Sequence, residues 1–180
     1  MKYVKWIFVV LLICSLTSFV EKNKPTGGLM VGDRAPSFEI NTSTEQPTME
    51  LSHFKGKYVL LSFWASYDAS SRVNNVSLNR AIRRASSENI EMVSVSFDKY
   101  ASIFDETIRK DQIAGSAACF VETRGENSRI FKKYRLNKGF SNYLLDQNGV
   151  IIAKNISAAD LSAYLNGSSG KIRNLSAVSP

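Results

Sequence analysis

Eight consecutive residues, Tyr58 to Ala65 (YVLLSFWA), contain one serine and no charge. A strand with one wet face alternates polar and apolar residues, so an unbroken run describes a strand covered on both faces, as in a parallel sheet flanked by helices. Downstream, Val73, Val76, Leu78, Ile82 and Ala85 fall near helical spacing with Arg80, Arg83 and Arg84 between them, which predicts an amphipathic helix. Ile90 to Phe97 (IEMVSVSF) is rich in β-branched residues and reads as a second strand. Strand, helix and strand from Tyr58 to Phe97 make a βαβ unit, whose crossover is right-handed almost without exception.

The rest of the chain continues the alternation. Ala101 to Lys110 and Ser128 to Tyr134 read as helices, with a short strand at Cys119 to Glu122 between them. Asn142 to Gln147 and Val150 to Asn155 flank Asn148-Gly149, a strong hairpin signal. Ser157 caps a last helix through Leu165, and Ser37 to Leu51 reads as a small β-hairpin. The order describes an α/β sandwich with a mixed sheet. In such sheets ligands and chemistry gather at the carboxyl ends of parallel strands. That rule selects the first βα turn, Ser66-Tyr67-Asp68-Ala69-Ser70-Ser71-Arg72.

Composition narrows the classes. At 180 residues and 44% hydrophobic, the chain has a core for one domain. Two cysteines exclude a disulfide framework and a four-thiolate zinc site, and a lone histidine, His53, weighs against a histidine-rich metal centre or a His-based triad. A set of His53, Asp68 and Asp98 is the only metal combination worth naming, and the expectation is no metal and no cofactor. The net charge of +7 permits an acidic partner. The basic residues Arg124, Arg129, Lys132, Lys133, Arg135 and Lys138 lack interleaved aromatics, so they read as a solvated face and not as a nucleic-acid surface. No P-loop, G-x-S-x-G or nucleotide glycine fingerprint is present.

The N-terminus reads as an address. Lys2 and Lys5 precede an uncharged run from Trp6 to Val20, too short for a spanning helix and suited to a signal-peptide core. Leu11-Leu12-Ile13-Cys14 is similar to a bacterial lipoprotein box, with Cys14 as the lipidation candidate; Ile13 departs from the small residue the box prefers. The expected organisation is a signal over 1–20, a polar tether over 21–28, one domain over 29–166 and a flexible tail over 167–180. The expected location is outside the cytoplasm, in the periplasm or cell envelope, with a membrane tether through the N-terminus if Cys14 is acylated. The one thiol left in the mature chain would be Cys119, which has no internal partner and sits in an apolar stretch as a buried, inert thiol.

Three blocks carry a family resemblance. Val31-Gly32-Asp33-Arg34-Ala35-Pro36-Ser37-Phe38 resembles the opening segment of the alkyl hydroperoxide reductase/thiol-specific antioxidant (AhpC/TSA) family. Leu51 to Ser66 (LSHFKGKYVLLSFWAS) and Asn142 to Ile151 (NYLLDQNGVI) resemble two later blocks of its TlpA/ResA-type branch. The blocks occur in the family's order and span Leu29 to Leu165. The resemblance implies a thioredoxin-like three-layer α/β/α sandwich with a mixed central sheet and an N-terminal β-hairpin extension. It also implies thiol-disulfide exchange by a Cys-x-x-Cys at the start of the first helix.

Those cysteines are not in this sequence. Tyr67 keeps the family's aromatic residue, Asp68 stands where the first cysteine would be, Ala69 and Ser70 fill the spacer, Ser71 replaces the second cysteine, and Arg72 is kept. The family's proline before the late hairpin is also missing, with Phe140 in its place. Exchange needs an attacking thiolate and a resolving thiol, and the helix start lowers the first thiol's pKa through its dipole. A carboxylate is stable in that same field, and Asp68, with Ser70 or Ser71, is a good N-cap for a helix beginning near Arg72. The expectation is a redox-inactive module whose groove, lined by Trp64, Tyr67, Asp68, Arg72 and Phe140, holds a peptide or protein partner of the cell envelope. The alternative is a working oxidoreductase that uses Cys119 with an external thiol.

Overall fold

The computed structural model describes residues 27–40, 49–85, 89–113, 115 and 117–167. The signal and lipidation expectations at 1–20, most of the tether and nearly all of the C-terminal tail lie outside the described residues.

A two-stranded antiparallel ladder, β1 (Glu39–Ile40) with β2 (Met49–Glu50), opens the fold. It corresponds to the hairpin expected over Ser37 to Leu51. The central sheet follows, built from β3 (Tyr58–Trp64), β4 (Ile90–Ser96), β5 (Ala118–Val121), β6 (Asn142–Leu145) and β7 (Ile151–Lys154). Its strand order is β5-β4-β3-β6-β7. β4 pairs in parallel with both β3 and β5, while β6 runs antiparallel to β3 and β7. The unbroken apolar run takes the central position, and every residue from Val59 to Trp64 is buried.

Helices cover both faces: α1 (Ala69–Ala85), α2 (Ala101–Lys110), α3 (Arg129–Lys133) and α4 (Ala158–Gly167). The two parallel crossovers step in the same direction across the sheet, and their common hand places α1 and α2 on one face. There Leu60, Met92 and Leu144 meet Leu78 and Ala81 of α1 and Leu161 of α4. Farther along, Trp64 meets Phe104 of α2 and Ile113. On the opposite face Leu61, Phe63, Val93 and Val95 pack against Ile130, Phe131 and Tyr134, and against Phe38 and Ile40 from the N-terminal segment. Phe63 sits at the centre of an aromatic cluster, 4.7 Å from the Tyr134 ring and 6.0 Å from Phe97. Burying each such side chain stabilises the fold by about 2–3 kcal/mol.

Several boundaries differ from the sequence reading, each for a local reason. α1 begins at Ala69, one turn before Val73, because Asp68 caps it directly. Val73 was expected on the apolar stripe, yet it is exposed, and the residues that α1 buries are Asn75, Leu78, Asn79 and Ala81. β6 ends at Leu145 because Asp146 turns the chain: its Oδ1 accepts from Asn148 N at 2.9 Å and Val150 N at 2.8 Å. Gly149 donates back to the Asp146 carbonyl at 2.9 Å with φ 77°, a left-handed conformation that favours glycine. The β7 edge is not bare. Gly32 N donates to Ile151 O and Ile151 N to Asp33 O, both at 2.8 Å, so the N-terminal segment covers that edge.

Candidate functional site

β3 delivers the chain to the carboxyl end of the sheet at Trp64. Asp68 N donates to Ala65 O at 3.2 Å, which closes a tight turn over Ser66 and Tyr67. Helix α1 then starts at once. The Asp68 carboxylate oxygen Oδ1 accepts from Ser71 N at 2.7 Å, and the Asp68 carbonyl accepts the first helical bond from Arg72 N at 3.0 Å. This is N-cap geometry, with the side chain satisfying one of the orphan donors of the first turn. Ala69, Ser70 and Ser71 lie inside the helix. Ser71 uses its hydroxyl to tie the helix to the strand end, donating to Asp68 O at 3.2 Å and accepting from Ala65 N at 3.4 Å.

A buried polar layer supports the turn. Asp98 follows β4, and its Oδ1 accepts from Ser66 N at 3.0 Å and Ser66 Oγ at 2.6 Å. Its Oδ2 accepts from Ser96 Oγ at 2.6 Å. Trp64, expected to line the groove, lies beneath the turn instead. It is fully buried, and its Nε1 donates to Ser94 Oγ at 2.8 Å, so the indole has its partner inside the fold. Ser94 Oγ in turn donates to Asn75 Oδ1 at 3.1 Å.

The rim is different in kind. Tyr67 is 72% exposed, with its ring 6.4 Å from that of Phe140. Phe140 stacks on Phe97 at 5.9 Å and meets Phe131 edge-on at 6.5 Å, so this one side chain links the rim to the aromatic core. Partial burial raises the Tyr67 phenol above its ordinary pKa, and the charges of Asp98, Glu126 and Asp68 push it the same way. Arg72 turns away from the rim. Its Nε and Nη2 each donate at 2.7 Å to the two oxygens of Asp111, just past the end of α2. The fork clamps the start of one helix to the end of another. Beside them lies an open cleft of about 430 Å³, lined by Ser66, Tyr67, Val73, Arg80 and the Arg72–Asp111 pair among others.

Cys119 is remote from the turn in sequence and faces a different environment. It sits on β5 opposite Ser94, packed against Trp64, Phe104 and Ile113, and is partly buried where the sequence leads one to expect full burial. Burial pushes its thiol up to about 11, against a weaker opposing pull from the Ser94 hydrogen bond. At neutral pH such a group is a thiol and not a nucleophilic thiolate. His53 belongs to a short 3₁₀ turn, Leu51–Phe54, where its Nδ1 accepts from Glu50 N at 3.4 Å. It is not brought together with Asp68 and Asp98. Among the described residues no group of three His, Cys, Asp or Glu side chains is placed to hold a metal ion, and no helix is long and apolar enough to cross a membrane.

A second cleft, of about 360 Å³, lies between the N-terminal ladder and α3, lined by Phe38, Glu50, Leu51, Arg124, Arg129 and Lys133 among others. Its charges are largely engaged within the fold, Arg124 with buried Glu122 at 2.7 Å and Lys133 with Ser37 O at 2.7 Å.

Sequence reasoning did not anticipate the supporting role of Asp98 and Ser66, nor Asp111 as the partner of Arg72. Asp98 carried a usable signal, because it follows directly on the carboxyl end of a parallel strand. Asp111 carried none.

The arrangement agrees with what the chain is similar to. The family model described as "AhpC/TSA family" matches residues 31–154. The thiol-disulfide oxidoreductase ResA of Oceanobacillus iheyensis is 27% identical over 142 residues, covering 76% of this chain and 71% of that protein. A thioredoxin-like protein from Parabacteroides distasonis superposes with a TM-score of 0.69 at 40% identity, covering 79% of this chain and 99% of that one. A thiol-disulfide oxidoreductase from Bacteroides fragilis gives a TM-score of 0.64 at 25% identity, with 75% and 98% covered. Sheet order, helix placement and the turn after β3 therefore have one explanation: the chain belongs to the AhpC/TSA family, in its thioredoxin-like, ResA-type thiol-disulfide oxidoreductase branch.

Proposed function

We propose that this chain is a redox-inactive member of its family, a thioredoxin-fold binding or assembly module that works outside the cytoplasm. One observation carries the reading. At the helix start, where the family's chemistry calls for a thiol pair, the Asp68 carboxylate oxygen Oδ1 accepts a hydrogen bond from Ser71 N at 2.7 Å. The loop from Ser66 to Arg72 holds no sulfur at all. Disulfide exchange has neither an attacking nor a resolving group there. Cys119, with its thiol held up at about 11, is a poor substitute.

The extracytoplasmic location rests on Lys2, Lys5 and the uncharged run to Val20. With it go a signal over 1–20, a tether over 21–28, a folded domain over 29–166 and a tail to Pro180, and lipid attachment at Cys14 if the lipoprotein box is used. The binding surface is the rim around Tyr67, Asp68 and Phe140, which would hold a protein or peptide partner in the cell envelope.

The family's activity keeps a second reading in view, in which Cys119 works with an external thiol. Insulin reduction with dithiothreitol separates the two. The expected rate equals the uncatalysed one. Turnover above it that disappears in Cys119→Ser would replace this reading with the second.

A further inference from the structure

Six large apolar side chains are exposed among the described residues: Met30, Val31, Tyr67, Val73, Tyr100 and Ile103. Four of them gather at one end of the sheet. Tyr67 lies in the turn after β3 and Val73 early in α1, while Tyr100 immediately precedes α2 and Ile103 sits in its first turn. Both helices begin where the parallel strands β3 and β4 end, in register, at Trp64 and Ser96. Half-buried Phe140 joins through its ring contact with Tyr67. Single exposed apolar residues need no explanation, but Tyr67 and Val73 line one cleft, and apolar side chains brought together in this way mark an interaction surface.

The charges at this end select the occupant. Asp68 is next to Tyr67, Asp98 is bonded to Ser66 directly beneath it, and Glu126 stands in the Gly125–Asn127 turn. After the larger effect of partial burial, the charges of Asp98, Glu126 and Asp68 all act on the Tyr67 phenol in the same direction. Arg72, the nearest cation along the chain, is held by both oxygens of Asp111. At Tyr100 the fold already sets a cation on an aromatic face, with the Lys99 ammonium 5.4 Å from the ring centroid; no such contact to Tyr67 is found among the described residues.

We propose that this end of the sheet docks an extended segment of a partner protein, seating a lysine or arginine on the Tyr67–Phe140 rings beside the Asp68 carboxylate. Apolar residues flanking that cation lie on Val73, Tyr100 and Ile103. Cation–π contact and charge complementarity fix the register, and apolar burial supplies the area. The proposal rests on the binding-module reading and names its partner's chemistry.

The test uses the isotope-labelled full chain and two peptides, acetyl-Leu-Ala-Lys-Ala-Leu-amide and its counterpart with glutamate for lysine. In NMR titrations the lysine peptide shifts the amides of Tyr67, Asp68, Val73 and Tyr100 and binds more tightly than the glutamate peptide. Tyr67→Ala weakens it about two- to fivefold, the range a solvent-exposed cation–π contact supports. Equal binding of both peptides at these amides, or a preference for glutamate, overturns the cationic assignment and leaves the binding module standing. Shifts that depend on protein concentration without peptide would make the occupant a second copy and also overturn the proposal. No shift from either peptide at millimolar concentration overturns it outright. The redox-inactive character on which the binding-module reading stands is judged apart from this, by the insulin assay.

Discussion

Beneath the turn that follows β3, the buried Asp98 carboxyl collects three hydrogen bonds from Ser66 and Ser96. Beside it, Trp64 and Ser94 are paired and equally buried. One residue beyond Ser66 in the chain, Tyr67 is largely exposed, and its neighbour Asp68 spends one carboxylate oxygen on capping a helix. The floor is held by many contacts and the rim by few. A residue can therefore change on the rim without disturbing the scaffold, which is how a thioredoxin-like fold can keep its shape with a carboxylate at the helix start. The difference also predicts opposite phenotypes. Floor substitutions cost stability, and rim substitutions cost binding.

The largest effect should come from Asp98. Asp98→Ala leaves Ser66 N and the Ser66 and Ser96 hydroxyls without their acceptor. Orphaned buried donors of this kind cost about 3 kcal/mol in all, once the hydroxyls have turned to whatever partners remain. For a domain of this size that corresponds to a fall in melting temperature on the order of 10 °C. Thermal denaturation followed by circular dichroism measures it. A variant that melts within about 1 °C of the parent would show that the floor does not hold the turn.

Cys119, partly buried against Trp64, flanks the floor and should betray this through pH. Its folded pKa, about 11, lies above the reference value of 9.0 because burial opposes the thiolate. Between those values the unfolded chain releases the thiol proton while the folded chain keeps it, so the unfolded state binds fewer protons and stability falls as pH rises. The contribution is intact below pH 9 and is lost progressively up to about pH 11. The loss relative to Cys119→Ala is on the order of 2 kcal/mol. Several tyrosines titrate in the same direction, so the comparison with Cys119→Ala is the measurement, by denaturant unfolding at pH 8 and pH 10.5. Parallel stability profiles for the two chains would place Cys119 on the accessible side of the comparison and revive it as a nucleophile.

What the sequence made legible follows the same division. The run from Tyr58 to Ala65 announced a central strand, and the alternation of periods placed all five strands of the sheet and its four helices. The rule that sites gather at the carboxyl ends of parallel strands located the turn, and Asp68 capping α1 is a local event that three neighbouring residues decide. Other features depend on distant partners. Trp64 looked like a groove residue because nothing near it reveals that Ser94, 30 positions on, accepts its indole proton. Arg72 looked available because Asp111 is 39 positions away. The spacing of apolar residues in α1 runs a stripe through Val73, whereas the sheet receives Asn75 and Asn79 beside Leu78 and leaves Val73 exposed. Burial of polar asparagines on a helix face is a tertiary decision that periodicity cannot register.

The smallest stability effect, and the sharpest for the comparison, concerns Asp68, which stands on the boundary between floor and rim. Its Oδ1 caps α1 through Ser71 N, while its charge faces outward beside Tyr67. Replacing a good N-cap with alanine costs about 1 kcal/mol, within a range of about 0.5–2. Asparagine retains an oxygen in the same place and loses only the charge, so Asp68→Asn should keep most of that stability and forfeit a few tenths of a kcal/mol of favourable interaction with the helix dipole, about 0.3–1 at most. The same charge is what a cationic partner would feel. Asp68→Asn should therefore weaken binding of the lysine peptide while its melting temperature stays close to the parent's, whereas Asp68→Ala should lower both. If Asp68→Ala melts at the parent temperature, capping is not what holds this residue in the sequence. If Asp68→Asn binds the lysine peptide as tightly as the parent, the carboxylate serves the helix alone and the rim must recognise its partner through Tyr67 and Phe140.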